Sequence, residues 1–143
     1  MKRVLLMLTL CVGAACLAGC DAQNKSSDGD GKRDVVEVIY FHGSQRCVTC
    51  MAVEELTKAV LEGQFSEQMQ EDRLHFRTID LIEQEEIANE YEVAWSSLLL
   101  VDYDYEGNRR IVDLTDTAFL NARTSPEKLE DEITRQLTEM LNN

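Results

Sequence analysis

Basic side chains are scarce in this 143-residue chain, where 14 lysines and arginines face 27 aspartates and glutamates for a formal charge of −13. That balance argues against a nucleic-acid partner, whose phosphates call for a basic footprint. Histidine occurs only as His42 and His75. Neither stands at metal-ligand spacing from a cysteine pair, so a zinc site would lack two clear ligands. Proline occurs once, as Pro126. No flavin or nicotinamide fingerprint and no internal repeat is present, and the apolar run from Val4 to Gly19 is shorter than the roughly 20 residues that span a bilayer.

What the chain does have is a pair of cysteines in a telling place. Cys47-Val48-Thr49-Cys50 follows the apolar strand Val35 to Phe41 and precedes a helix-like run beginning near Met51. A CxxC pair at a helix start can close into a small disulfide, and the unpaired backbone N–H groups and positive dipole end there stabilise a thiolate on the first cysteine. Cys47 is therefore the expected nucleophile and Cys50 the resolving thiol. A purely structural bridge is weakly motivated, because cysteines three apart close too short a loop to restrain the unfolded chain much.

The first 19 residues combine Lys2 and Arg3, an apolar run from Val4 to Val12 and a stretch of small residues, the layout of an export signal. Leu17-Ala18-Gly19-Cys20 resembles the lipobox of bacterial lipoproteins, which implies cleavage before Cys20 and a diacylglyceryl thioether on its sulfur. Asp21 resembles the inner-membrane retention signal of enteric bacteria. Two or three fatty chains on one cysteine exceed the threshold for stable membrane attachment. The expected location is thus the outer side of the cytoplasmic membrane, its periplasmic face in a Gram-negative cell. Loss of Lys2 and Arg3 without any acid leaves 12 bases against 27 acids, a charge of −15. Cys11 and Cys16 depart with the signal and Cys20 is capped, so Cys47 and Cys50 become the only thiols, in an oxidising compartment.

Three parts follow: a signal over 1–19, a lipidated Cys20 with a flexible polar linker over 20–33, and one folded domain over 34–143. Within the domain, Met51 to Gln70 reads as a helix with Ala52, Leu56, Ala59, Val60 and Phe65 on its apolar side, ended or interrupted near Gly63. Arg73 to Asp80 alternates as a half-buried strand, and Leu81 to Glu92 reads as a shorter helix with Ile82, Ile87 and Tyr91 inward. Ser97 to Tyr103 and Arg110 to Leu114 are expected to pair antiparallel through Glu106-Gly107-Asn108. Ser125 as N-cap and Pro126 at the first helical position open a final amphipathic helix with Leu129, Ile133, Leu137 and Leu141 on one stripe.

This order, β-α-β-α-β-β-α with the CxxC at the first strand-to-helix junction, resembles the thioredoxin fold, an α/β architecture with a central mixed sheet and flanking helices. More narrowly, Tyr40-Phe41-His42-Gly43, Arg46 to Cys50 and Trp95-Ser96-Ser97-Leu98 are similar to a bacterial thioredoxin-like family, the nitrophenyl compound nitroreductase subunit of ArsF type. The resemblance implies attack by Cys47 on a partner disulfide, release by Cys50, and docking of substrate near Trp95 and Ser96. Ser96 stands where thioredoxin-like domains usually carry a cis proline, so a trans Trp95–Ser96 bond is expected. The buried acid such domains place below the cysteines is missing, since the corresponding residue, counted six before Cys47, is Phe41.

The resulting expectation is a membrane-tethered thiol-disulfide oxidoreductase without a cofactor, working between a membrane thiol electron carrier and a disulfide- or dithiol-bearing partner. Two alternatives stand beside it. One is an accessory electron-delivery subunit for nitroaromatic reduction, and the other is a non-catalytic lipoprotein binding module whose cysteines only lock a loop.

Overall fold

β1 (Val36–His42) and β3 (Ser97–Tyr103) are apolar at successive rather than alternate positions, because both are interior strands covered on two faces. The computed structural model describes residues 35–104 and 106–142. The expected signal, Cys20 and the whole of the linker lie outside these described residues. β2 (Leu74–Asp80) runs parallel to β1, with Val36 opposite Leu74 and His42 opposite Asp80. β3 is antiparallel to β1, and β4 (Arg109–Asp113) is antiparallel to β3, giving the order β2-β1-β3-β4. Between β3 and β4 the Asp104 carboxylate accepts from the amides of Glu106 and Asn108, and Gly107 takes a φ of +83° that other residues adopt at a cost. A parallel β1-β2 pair joined through a helix, followed by a β3-β4 hairpin and a terminal helix, is the thioredoxin fold.

The two faces of the sheet carry separate cores. Val38, Tyr40, Leu98 and Leu100 face α1 (Val48–Gln64), α4 (Thr115–Asn121) and α5 (Pro126–Leu141). Ile39, Phe41, Leu99 and Val101 face the opposite way, toward α3 (Glu85–Glu90). Leu129, Ile133 and Leu137 of α5 are wholly buried at i, i+4, i+8, as the stripe requires. Arg73 donates to the Leu141 carbonyl at 2.9 Å, tying the negative end of α5 to the start of β2.

Several local expectations are corrected. α1 starts at Val48, so the CxxC is itself the helix's first turn. It runs through Gly63 and breaks at Phe65, after which the short α2 (Ser66–Gln70) begins. Cys50, Val53, Thr57, Val60 and Leu61 are its buried positions, whereas Ala59 is exposed. Ile82 is exposed because α3 starts three residues after it, and Leu81 and Ala88 pack inward in its place. The Ser125 side chain makes no capping bond, leaving Pro126 to start α5. α4 is an element the sequence reading omits, and it seats Leu114, Ala118 and Ala122 on one core-facing stripe.

Candidate functional site

The dithiol is built by the passage from β1 into α1. His42 ends the strand, residues 43–46 connect it to the helix, and Cys47 takes extended dihedrals (φ −79°, ψ 165°) as the N-cap of α1. Its sulfur accepts from the Cys50 amide at 3.2 Å, doing what a serine or aspartate oxygen does at other helix starts. The two sulfurs are 2.6 Å apart, as free thiols. Cys47 is exposed and Cys50 is buried. Hydrogen bonding from the Cys50 side chain, then from the Cys50 amide, holds the Cys47 thiol below its ordinary range. The site therefore offers an accessible sulfur that gives up its proton more readily than an ordinary thiol, with a second, sheltered sulfur against it.

Beneath this turn lies Tyr40, a residue the sequence reading places in β1 without a role. Strand alternation turns Phe41 toward α3, where its ring meets Tyr91 at 5.6 Å. Counting six back from Cys47 therefore reaches the wrong face, and the side chain under the dithiol is that of Tyr40. Its hydroxyl donates to the Cys50 carbonyl at 3.0 Å, and the residue is wholly buried. Burial, with the Cys50 side chain close by, pushes the phenol well above its ordinary value. At neutral pH it is a donor, not a proton acceptor. The signal that finds it is the alternation Val36, Val38, Tyr40, which assigns all three to the α1 side of the sheet.

Arg46 does not point free charge at Cys47. It pairs with Glu54, which also receives Lys58, and its guanidinium lies 5.8 Å from the Tyr40 ring centroid. His42 donates from Nδ1 to the Gly43 carbonyl at 3.1 Å and sits 3.9 Å from Asp80. Asp80 accepts from the amides of Ile82 and Glu83 and from the Ser44 hydroxyl, and those amide bonds hold its carboxyl below the usual range. Glu37 pairs with Arg77 at 3.5 Å. His75, opposite Glu37 in the β1-β2 register, is partly buried.

The pairing of Phe41 with Ser97 brings the segment before β3 to the same end of the sheet as the CxxC. Trp95 is 69% exposed, which excludes core packing as its role, and Ser96 is half-buried beside it. The Trp95–Ser96 bond is trans, as are the other described peptide bonds. Val48 and Met51, in the first turn of α1, are also exposed. Among the described residues no helix is long and apolar enough to cross a membrane, and no group of three or more His, Cys, Asp or Glu is placed to hold a metal.

No family model and no curated protein matches the chain. Among solved structures it is similar to the Trx4 domain of ERdj5 at 11% identity and a TM-score of 0.49, covering 73% of this chain and 81% of that one. It is similar to mitochondrial thioredoxin 3 from Saccharomyces cerevisiae at 22% identity and a TM-score of 0.46, with the same coverages. Malassezia sympodialis thioredoxin is similar at 21% identity and a TM-score of 0.47, over 73% of this chain and 76% of that one.

Three outcomes follow from the geometry. Alkylation of Cys47 by iodoacetamide will titrate below an ordinary thiol, and Cys50→Ala, by removing the largest contribution, will move the midpoint upward. The same depression means that the reduced fold gains stability as pH rises from the Cys47 value toward the unfolded thiol value of 9.0, and loses it as pH falls back. Tyr40→Phe keeps the ring but leaves the Cys50 carbonyl without this donor, and urea unfolding will register a loss of about 1 kcal/mol.

Proposed function

We propose that this protein is a thiol-disulfide oxidoreductase in which Cys47 is the nucleophile and Cys50 the resolving thiol. The observation that carries the reading is the pair of sulfurs 2.6 Å apart at the start of α1, one exposed and more readily deprotonated than an ordinary thiol, the other sheltered. In the reductive direction the Cys47 thiolate attacks one sulfur of a partner disulfide, forming a mixed disulfide and expelling the partner's other sulfur as a thiolate. Cys50 then loses its proton to solvent or to the departing thiolate and attacks Cys47. The Cys47–Cys50 bond forms, the mixed disulfide breaks, and two electrons have passed to the partner. Run backward, the same steps oxidise a dithiol. Tyr40 keeps the Cys50 backbone in place through this exchange, and as a protonated phenol it does not receive the Cys50 proton.

The docking role of Trp95 and Ser96 belongs to the same proposal, supported by their place at the dithiol end of the sheet. The Leu17-Ala18-Gly19-Cys20 motif supports lipidation of Cys20 and tethering on the outer side of the cytoplasmic membrane, with the linker of 20–33 setting the reach. Fully stretched, its last thirteen residues span roughly 45 Å, with an average coil span of about 20 Å. A membrane thiol electron carrier is then the natural source or sink of electrons. The ArsF-type resemblance supports a second reading, as an accessory subunit delivering electrons for nitroaromatic reduction. The residues that carry it, Tyr40 to Gly43, Arg46 to Cys50 and Trp95 to Leu98, converge on the dithiol end, and a partner would have to supply the nitro chemistry.

Insulin reduction driven by dithiothreitol tests the reading. The wild-type chain will accelerate precipitation, Cys47→Ser will be inert, and Cys50→Ser will accumulate a mixed disulfide through Cys47. A wild type no faster than Cys47→Ser would favour the non-catalytic binding module.

A further inference from the structure

On the α3 side of the dithiol end lies a groove that the exchange chemistry above does not use. It is open, about 320 Å³ in volume, and its apolar lining comes from Leu81, Ile82, Ala88, Val93 and Ala94, with Glu85 at the rim. Ile82, in its lining, is 74% exposed, and Trp95, the residue after the lining Ala94, is exposed as well, so large apolar side chains are uncovered in both segments that supply the groove. The groove is tied to the dithiol loop through β2: the Leu81 amide donates to the His42 carbonyl at 2.9 Å, and Ser44 donates to Asp80.

The bordering segments carry Glu83, Glu85, Glu86 and Glu92, all exposed. None of the four is ion-paired among the described residues. The cations of the adjoining elements are already engaged, Arg109 with Glu90 and the Tyr91 ring, and Arg77 with Glu37. Like charges collected around an apolar recess repel one another and disfavour any acidic visitor. A basic visitor relieves that repulsion, so the field selects by sign as the recess selects by hydrophobicity.

We propose that this groove docks the polypeptide flanking a partner's disulfide, and that it takes a segment in which an apolar side chain is bracketed by lysine or arginine. The proposal rests on the oxidoreductase reading for its biological use but not for its test. The apolar side chain enters between Ile82 and Val93, the flanking cations face Glu83, Glu85, Glu86 and Glu92, and the adjacent disulfide meets Cys47 past Trp95.

Trp95 is the chain's only tryptophan, so its fluorescence reports occupancy. The protein used is Cys47→Ser/Cys50→Ser, which cannot exchange, and the probes are two disulfide-linked peptides alike except that leucine is flanked by lysines in one and by glutamates in the other. The lysine peptide will bind about tenfold more tightly at low salt, and the advantage will shrink as salt screens it. Glu85→Gln/Glu86→Gln will erase most of that advantage, while Ile82→Ser will weaken both peptides. Equal affinities, no fluorescence response, or a response to protein dilution alone, which would mean a second copy occupies the groove, each overturns the proposal. Turnover of hydroxyethyl disulfide by the wild type is read separately. Its failure strikes the dithiol reading and leaves the binding result standing.

Discussion

The phenol hydroxyl of Tyr40 fastens the first turn of α1 to the sheet by donating to the Cys50 carbonyl, and the geometry of the dithiol depends on that bond. Tyr40 lies on β1, which is paired on both edges and covered on both faces, so the anchor point is enclosed by packing on every side. A helix N-terminus attached to such a strand presents its free amides in one fixed direction. Cys47, as N-cap, sits where those amides converge, and Cys50 is held against it from below.

That local arrangement has to work inside a strongly acidic protein, where a thiolate is disfavoured by the general field. The stabilising groups are therefore close and directional: the Cys50 side chain and the amide at the start of α1. Arg46 is drawn away to Glu54 and over the Tyr40 ring, so long-range positive charge has little part in it. Tyr40 in place of a buried acid has a chemical consequence for the proposed exchange. A protonated phenol steadies the resolving residue without taking its proton, which leaves solvent or the partner's own sulfur as acceptor.

The parts of the fold legible in the sequence are those whose signals are dense. β3 spans Ser97 to Tyr103 as its apolar run suggests, and α5 buries Leu129, Ile133 and Leu137 as its period demands. The CxxC reads as a strand-to-helix junction, but the helix starts earlier than Met51 because Cys47 itself caps it. α4 escapes notice because it is only two turns long and its large apolar residues do not mark a buried face: Ala118 is buried, Phe119 only partly so, and Leu120 is exposed. Ile82 misleads because a strongly apolar residue in a helical period is ordinarily inward, whereas the turn held by Asp80 comes before α3 begins. Tyr40 is concealed by counting along the chain when the decisive variable is which face of β1 a side chain occupies. Trp95 carries no sequence sign of its exposure, since an aromatic before a strand packs inward as readily as outward.

Everything proposed for the dithiol requires that Cys47 and Cys50 interconvert reversibly as a two-electron unit. Equilibrating the full chain in graded mixtures of reduced and oxidised dithiothreitol, quenching with an alkylating agent and weighing the peptide that contains both cysteines measures this directly. The account predicts one transition between a doubly alkylated and an unalkylated peptide, reached identically from either side, with no stable singly alkylated form. A peptide that stays in one state across the whole series, or that passes through independent single alkylations, would contradict it.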